Sequence, residues 1–179
     1  MKRLLLTGGL GVALLLLQGV LLGFLPFPWC PDLLLLLTMA LGLHWVDRVS
    51  GLVLVTALGF CADFLSGALL GQHVLVYLAS FGGTALLSRR LNLGGALPRA
   101  LCGAWVTLLA AAVAGGASML LAGASLPVGA WFAALLLHAL VNAVLAPGIC
   151  TGTAVWMSWL SSEGGIHRPV QIESPAGPT

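Results

Sequence analysis

The sequence predicts an all-α integral membrane protein, a bundle of six transmembrane helices. Three observations predict it. Of 179 residues, 60% are apolar and only 7% are charged, against about 25% in soluble domains. The 63 residues 100–162 contain no Asp, Glu, Lys or Arg. The seven basic residues fall in a few short segments rather than over a whole surface. A water-soluble globule would have to expose large apolar patches, which a marginally stable fold does not tolerate. A soluble enzyme and a disordered chain are therefore excluded. A nucleic-acid partner is excluded too, because a net charge of +2 provides no basic face.

The elements follow in order. A spanning helix needs about 20 apolar residues. The first span covers residues 4–25, too long for the apolar core of a signal peptide and with no small-residue cleavage site after it. Pro26, Pro28 and Pro31 then interrupt the chain. The second span covers 32–46 and ends at Asp47-Arg48, and the third covers 49–66. The fourth covers 70–88 and ends at Arg89-Arg90. One helix over residues 49–88 would be about 60 Å long, twice the hydrocarbon core, so the chain must turn. The turn is expected between Ser66-Gly67 and Gly71-Gln72-His73, the most polar and glycine-rich part of that segment. The fifth span covers 98–122, with Pro98 in its first turn. The sixth covers 128–150, with a kink or stop at Pro147-Gly148. Residues 1–161 form the helical domain, and 162–179, polar and rich in Pro and Gly, are expected to be a disordered cytoplasmic tail.

Charge placement orients this arrangement. Six spans put both termini on one side. With that side cytoplasmic, Lys2, Arg3, Arg48, Arg89, Arg90, Arg99 and Arg168 all lie inside, as the positive-inside rule requires. Five spans would put Arg89, Arg90 and Arg99 outside. Trp29 and Trp131 fall near the outer boundary, and Trp45, Trp156 and Trp159 near the inner one, where indole rings are favoured. Trp105 lies deeper and does not fit this belt.

Few residues can carry chemistry. Cys30, Cys61, Cys102 and Cys150 form no CxxC pair and read as small hydrophobes. Asp63 is the most unusual residue, a carboxylate near the outer end of the third span, which costs a few kcal/mol unless partnered. It reads either as an acceptor for backbone N–H groups of the following turn or as a proton or ion site. Gly67-x-x-x-Gly71 is either a helix-packing motif or a bend that needs positive φ. His73 can pair with Asp63 across the bend, while His44 and His138 read as hydrogen-bonded packing residues. His138-x-x-x-Asn142 resembles the oxyanion pair of rhomboid-type intramembrane proteases. However, no Gly-x-Ser-Gly surrounds Ser118 and no later intramembrane histidine can act as base. No HExxH, paired glutamate motif or Walker loop is present, so no metal or cofactor is implied.

Order and spacing of motifs then identify a resemblance. Asp47-Arg48-Val49-Ser50-Gly51 is followed by Gly59-Phe60-Cys61-Ala62-Asp63-Phe64-Leu65-Ser66-Gly67 and Leu70-Gly71. Prolines precede the second span, and Val141-Asn142-Ala143-Val144-Leu145-Ala146-Pro147 comes late in the chain. Across residues 20–160 this resembles the rod shape-determining membrane protein MreD family. Phe64, inserted between Asp63 and Leu65, is a small departure, and the proline-rich tail is another. The resemblance implies a fold similar to the substrate-binding subunits of energy-coupling-factor transporters. It implies a non-catalytic role in the cell-elongation complex of the bacterial cytoplasmic membrane, supporting peptidoglycan synthesis and rod shape. The implied partners are MreC, the elongation glycosyltransferase–transpeptidase pair and, indirectly, MreB filaments, with membrane lipid around the bundle. Asp63, Gly67, Gly71, His73, Asn142 and Pro147 are the candidate structural or partner-binding residues.

Two functions remain open at this level. The first is a partner subunit that binds another helix through the small residues Ala110-Ala111-Ala112, Ala114-Gly115-Gly116-Ala117 and Ser118 of the fifth span. The second is a small-molecule-binding subunit of an energy-coupling-factor vitamin transporter. The polar candidates for its pocket are Gln18, Thr38, Thr56, Gln72, His73, Thr107, His138 and Asn142.

Overall fold

The computed structural model describes residues 2–25, 27–67, 69–90, 94–122 and 128–162, with side chains masked at 117, 118, 120–122, 128 and 130. The described residues form six helices: α1 Lys2–Phe24, α2 Leu33–His44, α3 Arg48–Ser66, α4 Gln72–Leu87, α5 Ala96–Ala122 and α6 Val128–Ser162. Four contain stretches long and apolar enough to cross a membrane: Lys2–Phe24, Arg48–Ser66, Ala96–Gly116 and Trp131–Ser162. The regular structure among the described residues is thus all helical, that of a helical membrane protein.

α2 is the axis of the bundle. Every residue from Leu33 to Gly42 is buried, because α1, α4, α5 and α6 all pack around it. Its unbroken leucine run is the pattern of a helix with no lipid- or water-facing side. Asp32 starts the helix by accepting the Leu35 N–H at 3.0 Å, an N-cap that satisfies one of the first orphan donors. α1 is the opposite case. Only 11% of its apolar window is buried, and Leu16, Val20 and Phe24 face outward.

Close helix approaches depend on glycine at a few points. A Cβ on Gly59 of α3 would stand 2.7 Å from Val74 Cα of α4, and one on Gly103 of α5 would stand 2.6 Å from Ala146 Cβ of α6. Small residues at such crossings let backbones touch, which is how helices associate without water to expel.

Three expectations change in detail. α2 has 12 residues and α4 has 16, about 18 Å and 24 Å of helix, shorter than the expected spans 32–46 and 70–88. Asp32 acts as a cap rather than helix interior, Trp45 is already extended, and Asp47, between the two expected spans, caps α3. At the other helix, Gly71 caps α4 in a left-handed conformation. The sixth helix does not stop at Pro147 or end at residue 150; it continues to Ser162. Proline removes one backbone donor, but the hydroxyls beyond it are absorbed by the helix itself. Thr151 donates to the carbonyls of Pro147 and Gly148 at 3.0 and 2.9 Å. Thr153, Ser158, Ser161 and Ser162 each donate back one turn at 2.8 Å. The polar groups of this last part are thereby satisfied within the helix. Of the expected tail 162–179, Ser162 still belongs to α6, and 163–179, like Pro26, lie outside the described residues.

Candidate functional site

Two hydrogen-bonded clusters stand at the end of the bundle where α3 meets α4 and α5 leads to α6. The first is built on Asp63, which is 1% exposed. Its Oδ2 accepts the Gly71 N–H at 2.7 Å, and its Oδ1 accepts the His73 N–H at 2.9 Å. These donors belong to the first turn of α4, whose own N-cap, Gly71, has no side chain to receive them. Asp63 thus caps α4 from the preceding helix. The chain can fold back this sharply because Gly67 and Gly71 both have positive φ, 65° and 91°, a conformation that costs other residues about 1–2 kcal/mol. Neither glycine lies on a helix–helix face. His73 closes the cluster with Nδ1 2.8 Å from Asp63 Oδ1. A carboxylate only accepts, so the proton is on Nδ1 and Nε2 is turned away from Asp63.

The second cluster is built on Asn142 of α6, which is fully buried. Its Oδ1 accepts the Asp32 N–H at 3.0 Å, from the start of α2. Its Nδ2 donates to Thr107 Oγ1 of α5 at 3.0 Å and lies 3.4 Å from His138 Nε2. Thr107 passes its own proton to the Gly103 carbonyl at 2.8 Å. His138 Nδ1 lies 3.3 Å from the Pro28 carbonyl. The carbonyl can only accept, so Nδ1 carries the proton and Nε2 receives from Asn142. One amide therefore joins α2, α5, α6 and, through His138, the loop before α2. Asp32 and Thr107 are essential parts of this arrangement. The sequence signal for Asp32 was a Pro-Asp pair before an apolar run, an N-cap pattern. Its long-range partner, 110 residues away, left no local trace.

Between the clusters lies a cavity of about 300 Å³. Asp32, Gln72, His73, Thr107 and His138 bring polar groups to it, and Phe27 and Trp131 supply aromatic surface. Ala110, Ala111, Ala114 and Gly115 line its α5 wall, so much of the expected small-residue face of the fifth span turns inward. Ala112 remains exposed, and the Ala117 and Ser118 side chains lie outside the described residues. Gln72, His73, Thr107 and His138 converge here, with Asn142 bracing them. Gln18, Thr38 and Thr56 do not: Gln18 accepts from Leu34 N, Thr38 donates to Leu35 O, and Thr56 donates to Leu52 O. Pro147 is embedded in α6 away from the cavity. Among the described residues no group of three or more His, Cys, Asp or Glu could hold a metal ion, and no Lys or Arg lines the cavity. The arrangement can hold a small molecule through hydrogen bonds and aromatic contacts; its size is at the lower end for ligand pockets.

Comparison with protein-family models, with curated proteins and with solved structures finds no match.

Proposed function

We propose that this chain is a non-catalytic, MreD-like membrane subunit of the bacterial cell-elongation complex. In this reading it binds MreC and, through it, supports the glycosyltransferase–transpeptidase pair and MreB filaments in building the lateral wall. All six helices cross the cytoplasmic membrane in a bundle like that of energy-coupling-factor substrate subunits, with both termini cytoplasmic. α2 and α4 are short for this; α2 sits inside the bundle, where neighbouring helices surround it, while α4 packs on α2 and α3 and turns one face, with Leu75 and Leu86, outward.

The observation that carries the reading is the Asp63 cap. The residues on which the resemblance rests have defined physical work at one place: Gly59 permits the α3–α4 contact, Asp63 caps α4, and Gly67 and Gly71 make the bend. Asn142 ties three helices together in the same end of the bundle. The rigid frame leaves outward faces, such as that of α1, for a partner helix. Affinity purification from native membranes in mild detergent tests it: MreC should co-purify, and its absence would refute the assignment.

One observation favours a second reading, capture of a small molecule as in a vitamin-transporter substrate subunit: the 300 Å³ cavity with polar groups from several helices. A co-purifying vitamin, or a thermal shift with one, would support it.

A further inference from the structure

The cavity of about 300 Å³ between the two clusters carries a charge that the fold does not answer. Asp32 and His73 line it, and both are half-buried rather than sealed. Asp32 Oδ1 accepts the Leu35 N–H at 3.0 Å, and the Gln18 side chain reaches the same carboxylate. These donors are neutral, so they occupy lone pairs without cancelling the charge. Asp63 accepts the Gly71 and His73 N–H groups and faces His73 Nδ1. His73 lies within electrostatic reach of both carboxylates.

The chain brings no cation to this place. No Lys or Arg lines the cavity. The described Lys and Arg residues stand at the other end of the bundle: α1 and α3 begin with Lys2 and Arg48, Arg89 and Arg90 follow α4, and Arg99 lies in the first turn of α5. Along α3 alone, Arg48 and Asp63 are about 22 Å apart. A larger cavity, about 630 Å³, lies at that other end, where Arg3 and Asp47 share the wall and offset one another. His138 is neutral, since Nδ1 faces the Pro28 carbonyl and Nε2 receives from Asn142. A proton on both nitrogens of His73 would answer Asp63 and still leave Asp32 without a cation. The positive end of α2 offsets about half of the Asp32 charge. The rest stays in apolar surroundings, where a carboxylate without a partner is costly.

The other walls suit an organic cation. Phe27 and Trp131 supply aromatic faces, which attract ammonium groups. His73, held by Asp63 at Nδ1, turns Nε2 away as an acceptor, and the Gln72 amide carbonyl is another acceptor at the wall. We infer, resting on the small-molecule reading of this cavity, that it takes a small protonated amine, whose N–H groups donate to the Asp32 carboxylate and to His73 Nε2 while its apolar part lies against Phe27 and Trp131.

The test uses the whole protein in mild detergent with benzylamine, benzyl alcohol and benzoate, one aromatic frame carrying a cation, no charge and an anion at neutral pH. Thermal unfolding reads the stabilisation, and titration calorimetry reads the affinity. Benzylamine should raise the unfolding temperature, whereas benzyl alcohol, benzoate and sodium chloride at the same concentration should not. Asp32→Asn keeps a capping oxygen and the backbone N–H that Asn142 accepts, and should weaken benzylamine binding about tenfold, the loss of one charged hydrogen bond. Trp131→Leu should weaken it about threefold. If Asp32→Asn does not fold, Trp131→Leu and the comparison of the three compounds decide. An equal shift with benzyl alcohol or sodium chloride, or unchanged affinity in the variants, would overturn the assignment of a cation. Of these, binding of benzyl alcohol would leave small-molecule capture standing, whereas no shift with any of the three compounds would overturn both.

Discussion

The two ends of this bundle treat polar groups in opposite ways. At the Asp63 end side chains meet the backbone donors of helix starts: a carboxylate caps the next helix, and an amide links α2, α5 and α6. At the Arg3 end the cavity is larger, the charge is basic and a buried histidine nitrogen is unpaired. The first end is held rigid by internal bonds yet keeps a carboxylate without a cation, whereas the second gathers the described Lys and Arg residues.

Substitutions break the first end in a graded order. Asp63→Leu should be the most damaging, because it leaves two helix-start N–H groups and His73 without their acceptor, about 3–5 kcal/mol. Asp63→Asn keeps an acceptor oxygen and should cost about half as much. Unfolding in detergent, monitored by circular dichroism, would measure both, and equal losses would mean that the charge itself is required. Asn142→Leu comes next, at about 2–3 kcal/mol, since the Asp32 N–H and Thr107 hydroxyl lose a buried partner. Gly59→Ala would push a methyl against Val74 Cα, backbone that cannot swing aside, and should cost about 1–3 kcal/mol. Gly71→Ala, with open space around the new methyl, should cost only the strain of positive φ, about 1 kcal/mol. The same unfolding assay ranks all of these.

The smallest effect belongs to the second end and to pH. Asp47 is fully exposed, and hydrogen bonds from the Ser50 side chain, then from the Val49 and Ser50 amides, hold its carboxyl below the usual range. A depressed folded value stabilises the protein above the ordinary carboxyl pKa, and this contribution is lost as pH falls through the depressed value. Asp47→Ala should flatten that acid limb of the stability profile slightly. An unchanged profile would show that the cap does not contribute.

The sequence revealed much of this because a charged residue in lipid cannot hide. Asp63, followed by two glycines and a histidine, described its own bend, and the basic residues implied one common end. Other features were not legible because their causes are distant in sequence. Asp32 reads as the first residue of a leucine run until Asn142, 110 residues away, is brought to its N–H. The fifth span's small residues read as a docking face, but Ala110, Ala111, Ala114 and Gly115 line a cavity instead. Periodicity could not tell these apart, because both uses ask for the same small side chains. Pro147-Gly148 reads as a kink or stop, since a local rule counts the missing donor but not the packing that carries the helix on to Ser162.

In the proposed topology the two ends face opposite sides of the membrane, with the short helix α4 crossing between them. Single cysteines placed by Ser66→Cys and Gly94→Cys, in a background with Cys61→Ala, test this in intact cells with a membrane-impermeant thiol reagent. The account predicts that position 66 is labelled from outside and position 94 only after the cytoplasmic face is opened. Labelling of both positions from the same side would contradict it.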